Sequence, residues 1–149
     1  MKEMCSPINA EFNRIIKETD SIYSKYAALH HISTTTMCVL YSISTAETPC
    51  TQTGLCEDWD IPRQTINSCL KVLQKEGIVQ MMLGEGNRKN KYIQLTALGE
   101  KSANQVIAPL VHAENAALQA LDPEELRLFM DISRKHNALL QKFLLDPNI

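Results

Sequence analysis

The stretch that decides the fold runs from Thr51 to Thr96, TQTGLCEDWDIPRQTINSCLKVLQKEGIVQMMLGEGNRKNKYIQLT. It opens on a short helical pattern through Leu55, Cys56 and Trp59, with Thr51 as its cap. The pattern breaks at Asp60-Ile61-Pro62. A second helix is expected to start at Pro62, because a first helical position has no use for the N–H that proline lacks. In it Ile66, Cys69, Leu70 and Leu73 recur at helical spacing and form one apolar stripe. Gln64, Asn67, Ser68, Lys71 and Lys75 take the opposite face, with no acidic residue among them. Gly77 ends the helix, since glycine enters the left-handed position after a helix without steric cost. A strand (Ile78–Leu83), a basic glycine-bearing turn (Gly84–Asn90) and a second strand (Lys91–Leu95) follow. That order describes a winged helix-turn-helix, in which the lone Trp59 is expected to anchor the small core between the two helices.

The side chains facing outward point to duplex DNA. A helix in the major groove reads bases through amides and guanidinium groups, which pair bidentately with adenine and guanine. Gln64 and Asn67 supply the amides, Arg63 a base or phosphate contact, Thr65 and Ser68 hydroxyls for phosphate, and Lys71 a further cation. Arg88, Lys89 and Lys91 on the hairpin suit phosphates or a narrow minor groove. From Pro62 to Lys91 six basic residues face two acidic ones, a local net of +4 in a chain whose total is −2. The local value governs, because salt screens charges beyond about 10 Å. The competing reading is a winged helix that binds protein; agreement between stripe, turn and basic wing favours DNA.

The segment DIPRQTINSCLKVLQKEGIV, followed by GNRKNKYIQLTALGEK, resembles the core of MarR-type transcriptional regulators. Their L-T-x-x-G entry into a long helix is present as Leu95-Thr96-Ala97-Leu98-Gly99. Their D-x-R wing element is matched by Asn87-Arg88-Lys89, so neither member of the usual Asp–Arg pair is retained. Lys89 cannot supply a fork of donors as arginine would, and Arg88, one place earlier, is expected to take the minor-groove role. The resemblance implies a homodimeric regulator, expected to be a repressor, on a pseudo-palindromic operator. It also implies a small-molecule effector, for which Tyr23, Tyr26, His30 and Met37 are the expected lining residues.

The flanking segments fit a mainly α chain with a small β-hairpin wing. Pro7 opens a first helix whose apolar positions include Phe12, Ile15, Ile16, Ile22, Tyr23, Tyr26 and Leu29. His30-His31-Ile32 breaks it, and Ser33 or Thr34 caps a helix from Thr35 to about Thr45. Thr96 caps a long helix interrupted or kinked at Pro109. Asp122-Pro123-Glu124-Glu125 opens the last helix with a cap, a proline and a capping-box glutamate in register. Leu126, Phe129, Met130, Ser133, His136, Leu140, Phe143 and Leu144 follow, and Asp146-Pro147 stops it. These helices exceed what the winged core can cover, so residues 1–32 and 97–149 are expected to dimerise around a reading lobe at 51–96, all one domain of 1–149.

Other classes find less support. There is no long apolar run or basic-then-apolar leader, so a cytoplasmic protein without membrane association is expected. The sequence has no phosphate-binding glycine loop, nucleophile elbow or paired histidine chelate. No enzyme activity, metal or cofactor is therefore expected, and His30, His31, His112 and His136 supply no local chelate. The five cysteines are expected as free thiols. The MarR-type resemblance also implies an alternative input, a thiol or peroxide sensor, with Cys5 just ahead of the first helix as its candidate and only Lys2 nearby to lower its pKa.

Overall fold

The computed structural model describes residues 6–84 and 87–145, with backbone alone at residue 84 and at 87–90. The Gly84–Asn90 turn side chains, Cys5 and the Asp146-Pro147 stop lie outside the described residues. In order the elements are α1 (Pro7–Leu29), α2 (Thr34–Thr45), α3 (Gln52–Trp59), α4 (Arg63–Lys75), β1 (Val79–Gly84), β2 (Asn87–Leu95), α5 (Ala97–Gln119) and α6 (Pro123–Leu145). The chain divides into two compact units, 1–108 and 109–149.

Each helix start is written in the local sequence. The hydroxyls of Ser6, Ser33, Thr51 and Thr96 accept the N–H groups of Asn9, Thr36, Gly54 and Gly99, each at 3.0 or 3.1 Å. Asp122 accepts from Glu124 and Glu125 N–H at 2.9 Å while the Glu125 carboxylate accepts from Asp122 N–H at 3.0 Å, a reciprocal capping box. Pro62 stands one place outside the expectation. Its ψ of 138° is extended, so it caps α4 rather than opening it, and its carbonyl accepts the Ile66 N–H at 3.1 Å.

Two helices end in the same hydrogen-bond pattern made from different residues. After α4, Gly77 takes φ 71°, with Ile78 N–H donating to Leu73 O at 2.8 Å and Gly77 N–H to Gln74 O at 3.1 Å. After α1, His31 takes φ 57°, with Ile32 N–H donating to Ala27 O at 3.1 Å and His31 N–H to Ala28 O at 3.0 Å. The left-handed residue costs a side chain more than it costs glycine. Asp60, at φ 49°, makes the turn between α3 and α4, and Ile61 N–H returns to Cys56 O.

Strands β1 and β2 pair antiparallel, from Val79 opposite Leu95 to Leu83 opposite Lys91, then Gly84 opposite Asn87 across an irregularity. Strand β2 thus begins at Asn87, not Lys91, because backbone pairing extends into the segment that its turn-like composition marked as loop. Ile93 N–H also donates to Cys50 O at 2.8 Å, so the connector before α3 adds a bridge on the other side of β2.

The buried residues of the first unit are Ala27, the run Met37–Leu40, Leu55, Ile66, Leu70, Leu73, Val79, Ile93, Ala103 and Ile107. The apolar stripe of α4 supplies three of them, as its spacing required. Trp59 does not. It is 38% exposed, donates its indole N–H to Ser42 Oγ at 2.7 Å and meets the Tyr41 ring edge-on, so it ties α3 to α2 instead of filling the α3–α4 seam. An indole needs a partner for its N–H, and Ser42 provides one where the α4 stripe has none.

Helix α5 runs through Pro109 without interruption. The proline removes one backbone hydrogen bond but leaves the remaining ladder to carry the helix. In α6 the expected single stripe resolves into two. Leu126, Met130, Ser133 and His136 are half-buried, whereas Leu128, Phe129, Ile132, Leu139 and Phe143 form a separate exposed row.

Candidate nucleic-acid interface

The interface is built on α4. Burial of Ile66, Leu70 and Leu73 fixes the rotation of this helix, and that rotation turns Arg63, Gln64, Thr65, Asn67, Ser68 and Lys71 outward; all six are exposed. Lys75 is exposed on the same side and Lys91 on β2. No acidic residue lies in the first turn of α4. The N-terminal end of a helix carries positive partial charge and unpaired N–H groups, which suits an approaching phosphate. Arg88 and Lys89 fall on β2, but their side chains lie outside the described residues.

Two details of this face were not legible in the sequence. The Ser68 hydroxyl donates to Gln64 O one turn back at 2.9 Å, so its single proton is already engaged within the helix. Val72 stands 53% exposed among polar neighbours. An exposed apolar group on a helix of this kind is the type that contacts a thymine methyl in a major groove.

The hairpin is held to the following helix by the L-T-x-x-G element. Thr96 Oγ1 donates to Gly77 O, accepts from Gly99 N–H, and Thr96 N–H donates to Ile78 O at 3.0 Å. Gly99 lies directly over Ile78, the residue before β1, where an added Cβ would collide with the Ile78 carbonyl. The motif is therefore a clamp joining the end of α4, the start of β1 and the start of α5. Cys69 lies at another seam, half-buried, with its sulfur 3.6 Å from Thr36 Oγ1 on α2.

The residues read as lining an effector site have these positions. Tyr26 donates its hydroxyl to Val106 O at 2.6 Å and packs its ring 4.6 Å from that of His30. Burial pushes the Tyr26 phenol up from its ordinary range. Met37 is buried, and Tyr23 and His30 are half-buried. A groove of about 660 Å³ opens elsewhere, between the α2–α3 connector, β2 and the start of α5, and none of these four residues lines it.

Burial also pushes the thiols of Cys38, Cys50 and Cys69 above the usual range, with the Thr36 hydrogen bond opposing the shift at Cys69. Raised pKa values lower the thiolate fraction that oxidation requires. Among the described residues no three His, Cys, Asp or Glu side chains come together as metal ligands, and no helix is long and apolar enough to cross a membrane.

Among the described residues six helices and one hairpin are present, and α3, α4 and the hairpin form a winged helix-turn-helix flanked in sequence by long helices. This is the fold of the MarR-family transcriptional regulators. A MarR family regulator from Neisseria meningitidis matches with a TM-score of 0.75 and 20% identity over 93% of this chain and 97% of that one. The S. aureus MepR–DNA complex matches with a TM-score of 0.71 and 17% identity over 91% and 97%. MarR from Oenococcus oeni matches with a TM-score of 0.67 and 13% identity over 88% and 98%. At these identities the likeness concerns the fold. No family model matches the sequence. A search of curated proteins finds no relative either.

Proposed function

We propose that the protein is a sequence-specific, double-stranded DNA-binding transcriptional regulator, acting in the cytoplasm as a homodimeric, effector-responsive repressor. The observation that carries the reading is the outward face of α4, with two amides, two hydroxyls, Arg63 and Lys71 exposed together and no carboxylate among them. The fold shared with a protein solved in complex with DNA supports the same reading, and the motif's general docking would set α4 in the major groove with the wing beside it.

Assembly as a dimer is supported by two long helices whose apolar rows lack cover within the described residues. On α1, Ile8, Ile15, Ile16 and Ile22 are exposed, and on α6 Phe129, Ile132 and Phe143 are. Patches of this kind mark association surfaces. A two-fold pair of α4 helices would read a pseudo-palindrome, half-sites one or more helical turns apart. In this assignment 1–149 is one domain, with 51–96 the reading lobe and the segments 1–32 and 97–149 the dimer arms.

Selection from random duplexes tests the reading. Enrichment of a pseudo-palindrome, with affinity that falls steeply as salt rises, is the expected result. A protein-interaction module would enrich no sequence and show no such salt dependence.

A further inference from the structure

The groove beside β2 has no part in the face just described. Its floor is apolar, formed by the buried Ile93 and Ala103 and the half-buried Ile43 and Leu95. Its volume of about 660 Å³ lies within the roughly 300–1,000 Å³ of small-molecule sites. Two carboxylates line it, Glu47 from the connector and Glu100 from the first turn of α5, and among the described residues no Lys, Arg or His lines it. The aromatic residue Tyr92 also lines it. Carboxylates, an aromatic face and an apolar floor without an opposing base form the chemical set that receives an organic cation.

We propose that this groove is a binding site for a small amphipathic organic cation, its apolar body on Ile93 and Ala103 and its charge beside Glu47, Glu100 and Tyr92. An anion of equal size meets two like charges there. A neutral molecule gains the floor but nothing from the carboxylates. Glu47 and Glu100 are both exposed, so each remains solvated when the groove is empty. The two carboxylates stand far apart in sequence, at positions 47 and 100, which is why no motif announces them. The inference does not depend on DNA binding, since its readout is ligand binding alone.

Titration calorimetry of the full chain with tetraphenylphosphonium and with tetraphenylborate, ions of nearly equal shape and opposite charge, tests it. Saturable binding of the phosphonium, one per chain, and none of the borate is expected. The double variant Glu47→Gln/Glu100→Gln should weaken that binding about tenfold or more, the loss of two exposed charge contacts. Thr48→Lys, which sets an ammonium at the exposed rim, should do the same with an unchanged unfolding temperature. No saturable phosphonium binding overturns the proposal. So does equal binding of the two ions, or binding indifferent to both variants.

Discussion

The reading lobe and α6 differ in how far their apolar surface is covered. In the lobe, Ile66, Leu70 and Leu73 of α4, Leu55 of α3 and Val79 and Ile93 of the hairpin are all buried within the one chain. Helix α6 is of the same class, capped as well as any other, yet it buries no residue, and Ile132 is 62% exposed. Good capping and amphipathic sequence therefore make a helix without making its partner. The lobe is complete in itself, and α6, like the N-terminal half of α1, carries a face that a second chain is proposed to cover.

The sharpest way to break this contrast is to charge α6. Phe129→Glu with Ile132→Glu should leave the lobe folded but convert dimer to monomer in sedimentation. Operator affinity should then fall about 100-fold or more, because two linked half-site contacts become one. A variant that stays dimeric would move the interface away from this row.

Where α5 meets the lobe, the largest effect is expected at Gly99. An added methyl collides with the Ile78 carbonyl, a backbone atom with little freedom to yield. Gly99→Ala should cost about 3 kcal/mol in denaturant unfolding and lower the midpoint of the lobe. Wild-type stability would show that the clamp between β1 and α5 is slack.

The α4 face and the wing should fail differently. Gln64→Ala or Asn67→Ala should cost about 1–3 kcal/mol at one base pair and relax preference there. Arg88→Ala should weaken all duplexes alike and lower the salt slope by roughly one. Competition binding across single-base operator variants separates the two outcomes. The reverse pattern would exchange the roles of helix and wing.

The smallest effect compares the two helix ends. His31→Gly should raise stability by about 0.5–1 kcal/mol, since it relieves a left-handed side chain in a bond pattern that Gly77 already satisfies. Thermal unfolding measures it, and a loss of stability would mean that the His31 side chain contributes more than its backbone costs.

What the sequence determined by itself was local. Ser33, Thr51, Thr96 and Asp122 cap helices because a hydroxyl or carboxylate three residues before an open N–H has little else to bond. Gly77 stops α4 for want of a Cβ, and Ile66, Leu70 and Leu73 share a face because the helix repeats every 3.6 residues. Those rules place the outward face of α4 and the order of the fold. The remainder depended on which distant atoms meet. Trp59 turned to Ser42 and not to α4, β2 extended to Asn87 and took Cys50 as a further backbone partner, and the row of α6 split into two. Glu47, Tyr92 and Glu100 came to line one groove although nothing in their spacing relates them. Periodicity records how a residue sits on its own helix or strand; only packing decides what lies opposite.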